Sequence, residues 1–254
     1  VIPCVAMTAR DVQRRFDRAA ETFDSADFVH AETRQGLLAR LEPITIEAGT
    51  IVDLGSATGA SARALRQRFR RAAVVAIDIS LPMLERSARR SSWLSRRPAV
   101  QADATQLPLA DHSVDLVFSN LLLPWIGERD RMFAEVARVL RKEGLFLFST
   151  LGPDSLAGLC HEPFADMHDV GDELVRAGLR DPVLDVDRLT VNYGDEQSLA
   201  RDLDAVGASG CLPDKVLNLD IELELVFGHC WGAGTLPTPG EFRIETGQIG
   251  RRNK

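Results

Sequence analysis

The chain has 254 residues, a formal net charge of -7 at pH 7, and 45% hydrophobic and 26% charged residues. That length buries a large core and suits one main domain, while the acidic balance argues against a nucleic-acid binder that relies on an overall basic field. Cys4, Cys160, Cys211 and Cys230 are scattered without a C-x-x-C pair, and no apolar run reaches the roughly 20 residues of a membrane span, so a reducing cytoplasm is the expected setting.

Apolar residues at helical spacing (Val12, Phe16, Ala19, Ala20 and Phe23, then Leu37, Leu38 and Leu41) predict one or two helices across residues 10–41, closed by Pro43. Residues 50–54, Thr-Ile-Val-Asp-Leu, predict a strand that meets Gly55 and Gly59, and the Ala, Leu and Arg pattern of residues 60–70 predicts a helix. The order repeats with a strand over 73–77 ending at Asp78, a helix over 81–90 and a short strand over 100–102 before Asp103. A strand over 114–118, an amphipathic helix over 129–140 stopped at Gly144, and a strand over 145–149 follow. Strands alternating with helices predict an α/β, Rossmann-like fold: a mostly parallel central sheet flanked by helices. Beyond residue 150, a helix over 166–177 capped by Gly178, a strand over 189–193, a helix over 196–206 and an alternating strand over 221–227 extend that sheet with an antiparallel C-terminal edge. The expected organisation is an N-terminal helical segment or lid over residues 1–45, the main domain over 46–236 and a loose tail rich in Gly, Pro and charge over 237–254.

In an open α/β sheet, ligands bind beyond the carboxyl ends of the strands. Four polar groups fall there: the loop from Asp53 to Gly59, Asp78, Asp103, and Ser119 with Asn120. Gly55 and Gly59 remove side chains that would bar a ligand from the backbone, although a tight strand-to-helix turn that binds nothing has the same composition. Asp78 follows the glycines at the distance from which a carboxylate meets both hydroxyls of a ribose, a spacing that also fits a nicotinamide enzyme. Against that enzyme, the glycine pattern is G-S-A-T-G and not G-x-G-x-x-G. Asp103 suits either an exocyclic adenine amine or a turn cap. His112, His161, His168 and His229 lack metal-ligand spacing, so no metal site is expected. Trp125 and Trp231 read as core or lid residues. Arginines cluster at Arg63, Arg66, Arg68, Arg70 and Arg71 and again at Arg86, Arg89, Arg90, Arg96 and Arg97, either as solvated helix faces or as a docking face for an acidic carrier protein.

These residues carry a family resemblance. The matching stretches are R-R-F-D-R-A-A-E-T-F-D from Arg14, I-V-D-L-G-S-A-T-G from Ile51, V-A-I-D-I-S-L-P-M-L from Val75, A-D-A-T-Q-L-P-L-A-D-H-S-V-D-L-V-F-S-N from Ala102, E-V-A-R-V-L-R-K-E-G from Glu135 and F-S-T-L-G-P-D-S-L from Phe148. With them the chain resembles the class I S-adenosylmethionine (AdoMet) dependent methyltransferases and, over most of its length, the malonyl-acyl-carrier-protein O-methyltransferases of biotin synthesis. The resemblance implies AdoMet as cofactor and the free carboxylate of malonyl-acyl carrier protein, or of malonyl-CoA, as methyl acceptor. It implies cofactor contacts from Asp53, Gly55, Ser56 and Gly59, a ribose contact from Asp78, an adenine flanked by Ile79 and Met83 and met at its edge by Asp103 and Ala104, and Asn120 near both ligands. Arg14, Arg18, Phe23 and the loop after Thr150 are the candidates for positioning the acceptor. The chain departs from the family where Ala57 replaces a glycine, where Phe23 replaces a tyrosine, and between Gly210 and Leu219, where it is shorter than relatives with a basic segment. A protein arginine hydroxylase of the kind that assists respiratory complex I assembly, and a degenerate methyltransferase acting as a binding factor, are the competing readings.

Overall fold

The computed structural model describes residues 7–89, 98–157, 159, 163–208 and 218–233. Two N-terminal helices, α1 (Ala9–Ala19) and α2 (Phe28–Leu41), flank a single 3-10 turn at Phe23–Ser25. The Thr8 side chain accepts from the Asp11 amide and so caps α1, while Pro43 lies just past the end of α2. The strands and helices that follow are β1 (Thr50–Leu54), α3 (Ala60–Arg68), β2 (Ala73–Asp78), α4 (Leu81–Arg89), β3 (Ala99–Gln101), β4 (Val114–Asn120), α5 (Arg129–Val139) and β5 (Leu140–Leu151), then α6 (Met167–Arg176), β6 (Leu179–Asn192), α7 (Glu196–Ala205) and β7 (Asp220–Gly232).

The seven strands form one sheet in the order β3-β2-β1-β4-β5-β7-β6. The pairings from β3 to β5 are parallel, and β7 runs antiparallel between β5 and β6. Alternation along the strands sends consecutive residues to opposite faces. Ile51, Leu116, Phe118, Leu145 and Leu147 enter one apolar layer with Leu37 and Leu41 of α2. Val52, Val117, Phe146 and Phe148 enter the other with Met132, Phe133 and Val136 of α5 and Leu174 of α6. Helix α2 sits close on β7: a Cβ at Gly36 would lie 2.7 Å from the Phe227 ring, Arg40 lies over that ring at 3.8 Å, and Arg40 also pairs with Asp185 and Asp187 of β6.

Three strands differ from the pattern read in the sequence. The segment 140–144 is the start of β5 and not a helix end, because Leu140 pairs with Val114 and so enters the sheet directly after α5. The strand expected over 189–193 is a 14-residue edge strand that contains Pro182 beside a break in register between Arg180 and Val183, a place where a residue without an amide hydrogen is tolerated. The last strand continues past Phe227 to Gly232. The tail over 237–254, Arg90, Arg96, Arg97, Cys4, Cys160, Cys211, His161 and most of the stretch from Gly210 to Leu219 lie outside the described residues. No helix among the described residues is long and apolar enough to cross a membrane, and no group of side chains among them could hold a metal ion.

Candidate active site

The sheet reverses its strand order between β1 and β4, the place where an open α/β sheet leaves a crevice. A cavity of about 380 Å3 opens there. Leu54, Gly55 and Ala57 line it after β1, Asp78 and Ile79 at the end of β2, Asp103, Ala104 and Thr105 after β3, and Asn120, Leu121 and Leu122 after β4. Val12 and Phe16 of α1, Phe23 of the 3-10 turn, His30 of α2 and Trp125 to Glu128 also line it.

The loop after β1 is held by its neighbour strand. The amides of Gly55 and Ser56 both donate to the Ile77 carbonyl, at 2.9 and 3.0 Å, and the Ala57 amide donates to Asp78 Oδ2 at 2.8 Å. Gly55 has φ +73°, and a Cβ there would approach the Leu122 side chain to 3.0 Å. Gly59, at φ +78°, caps α3, and a Cβ there would collide with Ser87 of α4. Its freedom from a side chain therefore serves helix packing, and Gly59 does not line the cavity.

Ala57 is left-handed at φ +44°, a conformation that costs an L-residue roughly 1–2 kcal/mol. Ala57→Gly should raise stability by about 1 kcal/mol and the melting temperature by about 2–4 °C in a scanning calorimeter. An unchanged or lower melting temperature would show that the loop carries no such strain.

Two carboxylates beneath this loop are buried. Asp78 Oδ1 accepts from the Ser80 amide at 2.8 Å, and burial pushes the carboxyl up to about 6 against the opposing pull of the backbone donors. Asp53 is 1% exposed, its Oδ2 has no hydrogen-bond partner among the described residues, and burial pushes it up to about 7, with the nearby Asp78 charge adding to the rise. Asp103 behaves as a turn cap through Oδ1, which accepts from the Thr105 amide and hydroxyl, each at 2.8 Å, and it also lines the cavity. The loop that follows is clamped by α5: Glu135 accepts from the Leu107 amide at 2.6 Å, and Arg138 donates to the carbonyls of Leu107 and Leu109. Asn120 lines the cavity, but its amide is committed to the protein, donating to the His30 carbonyl at 2.9 Å and accepting from the Ser149 hydroxyl at 3.0 Å.

Other expected site residues stand apart from the cavity. Arg14 and Arg18 are exposed on the outer side of α1, where Arg14 lies 3.8 Å from Asp11 and Arg18 Nε donates to the Arg14 carbonyl. With Val12 and Phe16 of α1 turned inward, these arginines face away, and no lysine or arginine is among the described residues that line the cavity. Met83 is fully buried against Ala19, Ala20 and Phe23, one layer behind the wall. Ser56 is buried with its hydroxyl unpartnered among the described residues, also off the wall. The loop after Thr150 packs on β7, where Gly152 and Asp154 donate backbone amides to Glu224.

The sequence reading passed over His30, and it gave Trp125 no ligand-facing role although that ring lines the cavity edge-on to Phe16 at 4.8 Å. The available signal for His30 was its helical spacing with Thr33, Leu37 and Leu41, which puts it on the buried face of α2. The N-terminal segment is tied to the site by side-chain bonds: Thr58 donates to Asp24 at 2.6 Å, Ser80 donates to Asp17 at 2.7 Å, and Arg86 pairs with Asp24 and Glu21.

Comparison with known proteins agrees with this geometry. A family described as a methyltransferase domain matches residues 52–148, the span of β1 to β5 around the cavity. The chain is 36% identical to the malonyl-[acyl-carrier protein] O-methyltransferase of Halorhodospira halophila over 96% of both chains. It is 42% identical to that of Methylovorus sp. over 78% of this chain and 72% of the relative. Phosphoethanolamine N-methyltransferase 2 of Haemonchus contortus, solved with S-adenosylhomocysteine, shares the fold at a TM-score of 0.66 and 17% identity, over 89% of this chain and 60% of that one. This chain is an AdoMet-dependent methyltransferase and belongs to the malonyl-[acyl-carrier protein] O-methyltransferase family.

Proposed function

We propose that the protein methylates the free carboxylate of a malonyl thioester carried on acyl carrier protein, as a step of biotin synthesis. The observation that carries this reading is the convergence of Asp78, Asp103 and the Gly55 backbone on one cavity in a chain of this family. The residues present suit the cofactor. Asp78 offers acceptor oxygens to a ribose, Ile79 and Ala104 offer apolar surface to an adenine with Asp103 at its edge, and the missing Cβ at Gly55 leaves room beside Leu122. The unpartnered Asp53 oxygen lies behind the loop, where a cationic ligand would favour the ionised form of this buried carboxyl. When bound, AdoMet supplies a methyl group made electrophilic by its sulfonium.

The remaining work falls to the chain's own residues. A carboxylate acceptor is already ionised at neutral pH, so no base has to remove a proton; the requirement is alignment and exclusion of water. Residues 1–45 serve as the lid in this reading, with Phe16 and Phe23 as its apolar lining and Trp125, from the turn after β4, meeting Phe16 edge-on. The test is methyl transfer from AdoMet to malonyl-carrier protein, with acetyl-carrier protein as the acceptor that has no free carboxylate. Methylation of the acetyl form, or of neither, would overturn the assignment.

Arg10, Arg14 and Arg18 are exposed and spaced four apart, so they form one stripe on the outer side of α1, against a cavity wall. A carrier protein of acidic surface fits that stripe better than the second arginine cluster. There, Arg86 is already paired with Glu21 and Asp24, at 2.8 and 3.1 Å. Reversing charge at Arg14 and Arg18 together should raise the KM for a carrier-bound acceptor about tenfold and leave that for malonyl-CoA within twofold, as expected for loss of electrostatic steering. Equal effects on both acceptors would remove the docking role.

A further inference from the structure

A second hollow lies beside the cavity. Beyond His30, Leu121 and Trp125, which line both spaces, this hollow of about 100 Å3 runs under α7. Leu199 and Leu203 of α7, Leu223 of β7 and Tyr193 form much of its wall, and no lysine, arginine, aspartate or glutamate is among its described lining residues. A malonyl thioester has the complementary division, with an anionic carboxylate at one end and an uncharged thioester and alkyl portion at the other. No lysine or arginine is among the described residues that line the wide part of the cavity, so among them a neutral donor is what is left to meet the carboxylate.

His30 sits at the junction. Its Nδ1 is sealed from water and has no hydrogen-bond partner among the described residues, and its ring packs at a tilt on Phe23 with centroids 4.9 Å apart. Burial, with the Arg34 charge adding to it, brings the imidazole down to about 4, so the ring is neutral at physiological pH. A neutral ring carries one proton, and placing it on Nε2 avoids burying an N–H without an acceptor at Nδ1. Nε2–H is then the nitrogen left to donate.

We propose that His30 is an acceptor-binding residue: it donates a hydrogen bond to the malonyl carboxylate at the junction, while the apolar hollow under α7 takes the uncharged thioester portion. This assignment rests on the function proposed above and names the group that would recognise the acceptor. No proton is transferred through His30; it holds the carboxylate in place while the oxygen that it leaves free is methylated.

Calorimetric titration of malonyl-CoA and of acetyl-CoA into protein saturated with S-adenosylhomocysteine tests this without turnover. His30→Phe keeps the ring contact with Phe23 and removes the donor, and it should weaken malonyl-CoA binding at least tenfold while acetyl-CoA binding stays within twofold. His30→Gln, which retains an N–H donor, should recover most of the loss, and S-adenosylhomocysteine affinity within threefold of the parent's in each variant would establish that both are folded. Malonyl-CoA affinity unchanged by His30→Phe would overturn the role of His30 and leave the methyltransferase reading intact. A parent protein that does not distinguish malonyl-CoA from acetyl-CoA would overturn the acceptor assignment itself, and the His30 proposal with it.

Discussion

Asp78→Ala should weaken S-adenosylhomocysteine binding by at least a hundredfold in a calorimetric titration. The carboxylate lines the cavity and already accepts the Ala57 and Ser80 amides, each at 2.8 Å, so it is fixed in orientation before a ligand arrives. Each hydrogen bond from a ribose hydroxyl to a charged group contributes about 1.5–3 kcal/mol, and two of them account for the expected loss at about 1.4 kcal/mol per factor of ten. The substitution also leaves two loop amides without their acceptor, which loosens the Gly55–Ala57 turn. Removing a buried carboxylate relieves a burial penalty at the same time, so stability should fall less than affinity. Affinity within threefold of the parent's would mean that Asp78 only braces the loop.

Asp53→Asn should flatten the dependence of stability on pH. Burial raises the folded carboxyl from 3.8 to about 7, so between those values the folded state holds a proton that the unfolded chain has lost. The stabilisation is complete below about pH 4 and disappears as pH rises through 7, which makes the parent protein less stable at pH 8 than at pH 5 on this account. A rise of this size corresponds to about 4 kcal/mol as an upper bound, at about 1.4 kcal/mol per pH unit, and the amide removes it. Urea unfolding at pH 5 and pH 8 should show the variant's gain on the parent to be about 2–3 kcal/mol larger at pH 8 than at pH 5. A parallel pH slope in both proteins would place the titration elsewhere, with Asp78, pushed up to about 6, as the next candidate. A cationic cofactor favours the ionised form, so its binding should release protons and tighten as pH rises from 5.5 to 8.

The first half of the sheet was legible because its signals are local. A short apolar run with a glycine or aspartate just past its end recurs at β1, β2 and β3, with a helix after the first two, and the acids at those ends line the cavity or lie just behind its wall. The start of β5 was not legible, since Arg141, Lys142, Glu143 and Gly144 read like a fraying helix end, and only pairing with the distant Val114 makes them a strand. Strand β6 was hidden for a related reason: its acids and Pro182 suit a loop, and a half-buried edge strand accepts them. Arg14 and Arg18 were expected to position the acceptor; their segment lines the cavity, but Val12 and Phe16 take the inward face. His30 carries no motif at all. Its importance comes from elements far apart in the chain, α2, β4 and the turn at Leu123–Trp125, meeting around one ring.

The outer edge of β6 has a bearing on how the molecule behaves among its own copies. Fourteen residues of strand with no partner on one side among the described residues are a template on which a second copy's strand could grow. Asp181, Asp185 and Asp187 are exposed along it, Pro182 offers no amide hydrogen, and the break in register between Arg180 and Val183 interrupts the ladder. A strand added from a like molecule would miss a donor at the proline and an even ladder at the register break, so this edge is a poor template for self-pairing even though the sheet behind it is long and strongly apolar.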